Sequence, residues 1–145
     1  MLVVVAAGCF PGGGSTIDNF RCPVDDSTYT DSFGPRPDGS FHYGIDMFAP
    51  TGRTIWAVKT GDVRYNQESA GGLVAYLFAD DGNVYYYAHM SETIGADRPV
   101  RQGEAIGRVG QTGNATAPHL HFEIRLGGVN GEQVDGYNTL RNAGC

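Results

Sequence analysis

The chain has few positive charges for its length. It carries 10 Lys and Arg residues against 16 Asp and Glu residues among 145, so its formal net charge is -6. Proteins that bind nucleic acid usually present a basic surface that neutralises phosphates. We therefore expect no nucleic-acid partner, and an anionic partner would have to be held by something other than bulk charge.

Long apolar runs are also missing. A membrane-spanning helix needs about 20 consecutive apolar residues, and no run in the chain approaches that length. The first residues, MLVVVAAGCF, resemble the end of an export signal because an apolar run precedes small residues, although a basic start is missing. We interpret residues 1–21 as a signal remnant, with Met1–Gly8 as its end, or as a loop-rich N-terminal extension, and an N-terminal strand or tail is the alternative. The expected location is secreted or in the cell envelope.

Cysteine is scarce as well. The 3 cysteines, Cys9, Cys22 and Cys145, are distant in sequence from every histidine, which argues against a Cys/His zinc finger. Cys9 ends an AAGC stretch that resembles a lipoprotein cleavage box. Ala6 stands where a larger aliphatic residue is usual, so we rank lipid anchoring at Cys9 below simple secretion. In an exported chain we favour a disulfide between Cys22 and Cys145 over one between Cys9 and Cys22, and spacing alone leaves the pairing open.

No stretch combines a helical period with caps, and the best candidate for a helix is a short turn at residues 135–143. The chain has instead 22 glycines, 11% aromatic residues and a series of short β-prone runs separated by turn signals. These runs cover residues 53–60, 61–67, 72–79, 83–90, 103–110 and 118–126. The pattern predicts one all-β domain over residues 22–145, a small antiparallel sandwich or barrel-like core, which we expect to be a monomer.

The chain has only 4 histidines, and all of them lie in or beside the predicted strands. In APHLHFEIRL, His119 and His121 are two residues apart, so both imidazoles face the same side of a strand. His42 and Asp46 lie on one side of an extended segment in FHYGID, and His89 follows YYYA. Zn²⁺ accepts imidazole and carboxylate ligands, and three such ligands leave one position open for a reactive water. Each motif alone also fits a packed strand histidine, so spacing by itself leaves both interpretations open.

Three segments together resemble a known enzyme family. HYGID, YAHMS and GQTGNATAPHLHFEI look like the signatures of the lysostaphin-type (LytM-type, duplicated hybrid motif) zinc metallopeptidases, which cut peptide bonds in bacterial peptidoglycan. The resemblance runs in order from about Phe33 to Arg125, and TGRTIWAVKTGDV and RQGEAIGRVG resemble intervening strands of that family. It implies a small all-β core with a narrow groove over the metal, and a catalytic core over residues 33–126.

The resemblance also implies a role for each candidate residue. His42, Asp46 and His121 would hold one Zn²⁺ per chain, and His89 and His119 would be catalytic. One of these two histidines would take a proton from the attacking water, and the other would stabilise the developing oxyanion. Which histidine takes which part is left open.

Further residues are candidates for smaller roles. Alternation along YYYAH places Tyr87 on the face shared with His89, where it could contact substrate. Asn114, in the loop before the histidine pair, could do the same. Packing of Tyr87 within a sheet and a turn role for Asn114 are the competing interpretations. Glu123 falls on the face of His121, and an exposed carboxylate is favoured there over a contact to a ligand.

Two other functions compete with a peptidoglycan endopeptidase. A catalytically silent cell-wall or partner-binding module could keep a structural zinc, although the complete set of histidines and the aspartate argues against it. A carboxypeptidase of the D-Ala-D-Ala type also uses a His-X-His pair, but it spaces its first His and Asp more widely. It also carries a Glu before the pair, where this chain has Thr116 and Ala117. We therefore expect an exported zinc metalloendopeptidase that cuts a stem peptide or cross-bridge.

Overall fold

The computed structural model describes residues 16–145, so the interpretations of Met1–Gly8 and Cys9 lie outside the described residues. Within residues 16–145 the chain forms eleven strands and one short helix. In chain order they are β1 (Gly34–Pro35), β2 (Phe41–His42), β3 (Ile45–Phe48), β4 (Thr54–Trp56), β5 (Gly61–Glu68), β6 (Gly72–Ala79), β7 (Val84–Thr93), β8 (Arg98–Val100), β9 (Ala105–Val109), β10 (His119–Leu126), β11 (Glu132–Val134) and α1 (Tyr137–Asn142).

In the described part of the chain, nine strands form one antiparallel sheet, and β1 pairs with β2 in a separate ribbon. The main path of the sheet is β11-β10-β7-β6-β5-β8. On the side of β10 away from β7, β3 pairs with its first half and β11 with its last residues. β9 pairs with both β7 and β4. The predicted all-β antiparallel fold is confirmed.

Alternation along the strands gives the sheet a core face and an open face. On β10, Leu120, Phe122 and Ile124 are at most 1% exposed and point into the core, whereas His119 and His121 point to the other face. The core side chains of β10 pack with those of neighbouring strands: Ile45, Met47, Leu77, Tyr85 and Tyr87. Burial of each large apolar side chain contributes about 1.5–3 kcal/mol. The core therefore fixes which residues of each strand are left for the open face.

The segment before β1, residues 16–33, is called the lead-in here, and it is tied to the rest of the domain at several points. Cys22 and Cys145 form a disulfide, and the Tyr29 hydroxyl donates to the carbonyl of Cys145 at 3.1 Å. Thr28 pairs with Phe48 of β3. These contacts hold the lead-in against Cys145 and β3.

The predicted domain boundary at residue 22 stays a prediction. Phe20, just before that boundary, lies with its ring centroid 5.7 Å from that of Tyr85 and 6.0 Å from that of Phe122. Residues before 22 thus contribute to the core. At the other end of the chain, α1 falls inside the predicted turn at residues 135–143. With six residues it is far too short to cross a bilayer, and residues 16–145 contain no other helix that could.

Replacing Leu120 with Ala should lower the free energy of unfolding by about 2–5 kcal/mol, because a fully buried side chain leaves a cavity behind. Leu126, on the same strand, is 39% exposed, and the same substitution there should cost about 0.5 kcal/mol. Urea unfolding followed by circular dichroism measures both changes. Equal losses would contradict the register of β10.

Candidate metal centre

Three side chains from three strands converge on the open face of the sheet. Asp46 lies on β3, His121 on β10 and His42 at the end of β2. The atoms His42 Nε2, Asp46 Oδ1 and His121 Nδ1 are each 3.1 Å from the other two. We call these three atoms the donor triangle. It forms because His121 lies directly opposite Asp46 in the β3–β10 pairing, so both side chains leave the sheet on the same face.

The donor triangle fits a metal ion. Metal bonds of about 2.0–2.1 Å at tetrahedral angles place neighbouring ligand atoms about 3.3 Å apart. The 3.1 Å separations found here are close to that value. Two imidazole nitrogens and one carboxylate oxygen suit Zn²⁺, and three protein ligands leave one position for water or substrate.

The second nitrogen of each histidine in the triangle is held by an acceptor. His42 Nδ1 donates to the carbonyl of Ser32 at 2.6 Å, and His121 Nε2 donates to Glu123 Oε1 at 2.8 Å. Because both oxygens are acceptors, His42 carries a proton on Nδ1 and His121 carries one on Nε2. In the neutral rings, the lone pairs of His42 Nε2 and His121 Nδ1 then face the triangle. Ser32 also accepts the Asp46 backbone N–H with its hydroxyl at 3.0 Å. Lone pairs this close repel one another unless a proton or a metal ion lies among them.

The charges around the triangle favour a cation. Burial alone would lower the pKa of His121, but its hydrogen bonds with Asp46 and Glu123 outweigh burial and raise that pKa to about 9. Burial alone would raise the pKa of Asp46, yet His121 and His42 hold it well below its usual range. The carboxylates therefore stay ionised, and a metal ion competes with a proton for His121.

Glu123 differs from the exposed carboxylate that the sequence favours. It is only 6% exposed. Besides His121, it accepts hydrogen bonds at Oε2 from Arg125 Nε at 2.9 Å and from Gln133 Nε2 at 2.7 Å. Gln133 belongs to β11, a strand that the sequence pattern does not reveal. The alternation of side chains along β10 identifies the face on which Glu123 lies. Only the pairing of β11 with β10 shows that a neighbouring strand buries this side chain.

His89 and His119 stand beside the donor triangle. His119 Nε2 is 3.5 Å from Asp46 Oδ1, and the ring centroids of His89 and His119 are 4.7 Å apart. Nδ1 of each ring donates at 2.8 Å to a backbone carbonyl, that of Thr112 for His89 and that of Ala117 for His119. In the neutral form of each ring, Nε2 therefore carries the lone pair and can accept a proton. Burial lowers the pKa of His89, which favours its neutral form.

An irregularity in β7 turns His89 toward the open face. His89 has φ of 64°, a left-handed conformation that costs about 1–3 kcal/mol in a residue other than Gly. The pairing of β6 with β7 shifts register between Leu73 and Ala75, next to this point. The backbone N–H of His89 donates to the carbonyl of Gly71 at 2.7 Å, which helps to hold this conformation.

This irregularity makes the alternation argument for Tyr87 wrong. Tyr87 is 0% exposed in the core, and its hydroxyl accepts the backbone N–H of Val58 at 3.0 Å. Tyr86 reaches the open face instead, because it lies opposite Glu123 in the β7–β10 pairing. Tyr87 is therefore not placed to contact substrate. Asn114 is exposed and lies at the side of the cleft described below, and its backbone N–H donates to the carbonyl of Ala70 at 2.8 Å.

Gly44, in the middle of HYGID, is needed by the packing of the site. A Cβ at this position would lie 2.7 Å from His121 Cε1 and 2.7 Å from the carbonyl oxygen of Phe122. Any larger residue would therefore push His121 away from the donor triangle. The sequence shows a glycine between His42 and Asp46. Why a glycine is needed there becomes clear only from the structure, because the atoms that a Cβ would meet belong to the distant strand β10.

A cleft of about 450 Å³ lies over the donor triangle. Its walls include Phe48, Tyr86, Asn114 and Thr116. Arg36, which follows β1, is the one Lys or Arg among the described residues that line it. The sequence interpretation did not single out this arginine, because nothing in the spacing of PRPDGS connects it to the histidines.

Three possible metal ligands that leave one coordination position open, with proton acceptors beside them, are typical of metal-dependent hydrolases. Comparison with known proteins supplies the family. The sequence profile of peptidase family M23 matches residues 40–136, and the chain belongs to that family. The resemblance to the lysostaphin-type metallopeptidases is thereby confirmed.

Several known proteins are similar to this chain. DD-carboxypeptidase/endopeptidase Mpg of Neisseria meningitidis is 40% identical over 88 residues, which cover 60% of this chain and 20% of Mpg. Peptidoglycan DD-endopeptidase ShyC of Vibrio cholerae is 34% identical over 121 residues, which cover 75% of this chain and 27% of ShyC. The structure of the catalytic domain of the antimicrobial peptidase lysostaphin from Staphylococcus simulans matches with a TM-score of 0.73 and 29% identity, over 79% of this chain and 92% of that domain. The chain thus spans a small part of Mpg and ShyC, and nearly all of the lysostaphin domain.

Replacing Glu123 with Gln should weaken metal binding about 10–100-fold, because His121 loses the carboxylate that orients it and raises its basicity. Competition with a chromogenic chelator measures the dissociation constant for Zn²⁺. Glu132→Gln, at an exposed position on β11, is the matched control and should bind Zn²⁺ as the wild type does. Equal affinity in both variants would contradict a role for Glu123 at the metal centre.

Proposed function

We propose that the protein is an exported zinc metalloendopeptidase that hydrolyses peptide bonds in bacterial peptidoglycan, in a stem peptide or a cross-bridge. The proposal depends chiefly on the donor triangle, in which His42, Asp46 and His121 meet at 3.1 Å with His89 and His119 beside them. Membership of peptidase family M23 supports the reaction class. The name of ShyC, a peptidoglycan DD-endopeptidase, supports peptidoglycan as the substrate.

We assign His42, Asp46 and His121 as the ligands of one Zn²⁺. Zn²⁺ bound there would polarise the scissile carbonyl and lower the pKa of a bound water toward about 7. The protein's part is to hold the ligands in place, which Ser32 does for His42 and Asp46, and Glu123 for His121.

We assign proton transfer to His89 and His119. Nε2 of each ring carries a lone pair, so either ring can accept a proton from the attacking water. A ring that has accepted this proton becomes a donor and can pass it to the leaving amine. The carbonyls of Thr112 and Ala117 keep Nδ1 of the two rings in place throughout, so the rings need not reorient between the two steps.

The walls of the cleft offer contacts to the peptide chain. We retain Asn114 as a substrate contact because its side chain is exposed at the cleft and its backbone is anchored. Tyr86 takes the place that the sequence suggested for Tyr87. Its hydroxyl donates to Glu68 Oε2 at 2.8 Å, so it offers the cleft a ring surface and not a hydroxyl.

The two members of the His-X-His pair should respond differently to substitution. His121→Ala should lose bound zinc, because it removes one of three ligands. His119→Ala should keep one equivalent of zinc and lose turnover by about 10²–10⁴-fold, because it removes only a proton carrier. Elemental analysis of the purified proteins and mass spectrometry of digested peptidoglycan measure the two effects. Treatment of the wild type with a chelator, followed by addition of Zn²⁺, serves as the control.

Other outcomes would contradict this proposal in distinct ways. Equal loss of zinc in both variants would show that the ligand assignment is wrong. Zinc-loaded wild type that leaves peptidoglycan and cross-bridge peptides uncut near neutral pH would favour a binding module. Release of single terminal residues, with no internal cleavage, would identify a carboxypeptidase.

A further inference from the structure

We propose that Arg36 binds a carboxylate of the substrate, so that the enzyme prefers an acidic peptide over a neutral one such as a run of glycines. This inference rests on the proposed function and narrows its substrate class. Its basis is that Arg36 is the one Lys or Arg lining the cleft among the described residues. The protein around it carries a formal net charge of -6.

The backbone around Arg36 is held in a defined position. Its N–H donates to the carbonyl of Ser40 at 2.8 Å, and its carbonyl accepts the N–H of Gly39 at 3.0 Å. Pro35 and Pro37 flank it, and each proline ring fixes one backbone angle. The side chain therefore starts from a constrained turn at the rim of the cleft, so less freedom is lost when it binds a ligand.

The guanidinium of Arg36 is exposed and can donate hydrogen bonds to a ligand. The Arg36 side chain is 48% exposed, and the anionic atom recorded beside it is Asp46 Oδ2, 3.7 Å from Nη2. That distance is too long for a hydrogen bond. A guanidinium carries five N–H groups arranged to match a carboxylate with two parallel hydrogen bonds. Arg36 is thus placed as a receptor for a second carboxylate.

The charges of the cleft support an anionic ligand once the metal site is filled. Glu123 is neutralised by Arg125, with Nη2 and Oε2 at 2.9 Å. Asp46 Oδ1 belongs to the donor triangle, so a divalent cation there outweighs its charge. The metal and Arg36 together then make the cleft positive on a protein that is acidic overall.

The position of Arg36 indicates where on the peptide this carboxylate lies. Arg36 Nη2 is 3.7 Å from Asp46 Oδ2. Asp46 is also a proposed metal ligand, so the scissile carbonyl, which must reach that metal, would lie close to Arg36. An extended peptide advances about 3.3–3.6 Å per residue. The carboxylate should therefore belong to a residue within about one or two positions of the scissile bond.

The test compares two synthetic peptides that differ in one group. Both contain a D-alanyl bond to a diamino acid, and that diamino acid carries either a free carboxylate or a carboxamide; pentaglycine is a neutral comparison. The zinc-loaded wild type should show a kcat/KM about tenfold higher for the carboxylate peptide, the effect of one charged hydrogen-bonded pair at a half-exposed site. Arg36→Gln should reduce this ratio to about one, and Arg36→Lys should keep part of it because the charge remains.

Two controls separate recognition of substrate from an effect on the metal ligand. Arg64→Gln removes an exposed arginine of β5 that stacks on Phe78 outside the cleft, and it should keep the wild-type ratio. Bound zinc is measured in every variant, because an arginine that acted only by orienting Asp46 would change metal content and would lower kcat/KM equally for both peptides. That result would overturn the inference, as would equal cleavage of both peptides by the wild type or a preference that survives in Arg36→Gln.

Failure of the proposed function has a different signature. In that case the zinc-loaded wild type cuts none of the peptides. Titration calorimetry then measures the affinity of the protein for the carboxylate peptide and for the carboxamide peptide, which still tests the role of Arg36. Tighter binding of the carboxylate peptide by the wild type, lost in Arg36→Gln, supports the inference for a binding module. Equal binding of the two peptides overturns it.

Discussion

His121 pairs with Asp46 across the β3–β10 ladder and with Ala88 across the β7–β10 ladder. Side chains alternate along a strand, so the pairings that place Leu120 and Phe122 in the core also place His121 on the open face. A shift of one residue in this register would exchange the two faces. The burial of the core and the distances within the donor triangle are therefore set by the same hydrogen-bonded ladder.

The ladder alone does not orient the ligands, and contacts from both ends of the chain complete the site. Ser32, in the lead-in, supplies the carbonyl that holds His42 and the hydroxyl that holds the backbone of Asp46. On the other side, β11 covers Glu123, which fixes His121. Three ligand atoms at 3.1 Å repel one another unless a proton or a metal ion lies among them. Hydrogen bonds formed during folding offset the free-energy cost of bringing these three atoms together, before any metal binds.

The sequence predicted those features that depend on local periodicity. The runs at 61–67 and 72–79 correspond to β5 and β6, and the last run corresponds to β10. Within β10 the two-residue period placed His119 and His121 on one face, which needs no knowledge of other strands. The metal and catalytic roles came from the resemblance of three motifs to a family, because spacing could not show that residues 79 positions apart, such as His42 and His121, meet.

The features that sequence reasoning missed depend on distant segments. Tyr87 and His89 lie on opposite faces because of the register shift opposite β6 and the positive φ of His89, neither of which leaves a pattern in YYYAH. The burial of Glu123 depends on Gln133, in a segment without strand periodicity. Arg36 lies in a turn with no period at all, and its place at the cleft results from the β1–β2 ribbon. For Tyr87 and Glu123, the pattern within one strand was thus overridden by a contact with another strand.

The charge distribution links the metal centre to the surface of the protein. Acidic side chains outnumber basic ones by 16 to 10, so the average surface repels an acidic peptide. That repulsion is screened beyond about 8–10 Å at physiological salt, whereas contacts inside a partly enclosed cleft are screened much less. In the proposed enzyme, attraction therefore acts where a ligand already touches the cleft, at Arg36 and at a metal ion held by the donor triangle. An acidic protein can in this way select an acidic substrate at one point, without binding anionic polymers over its whole surface.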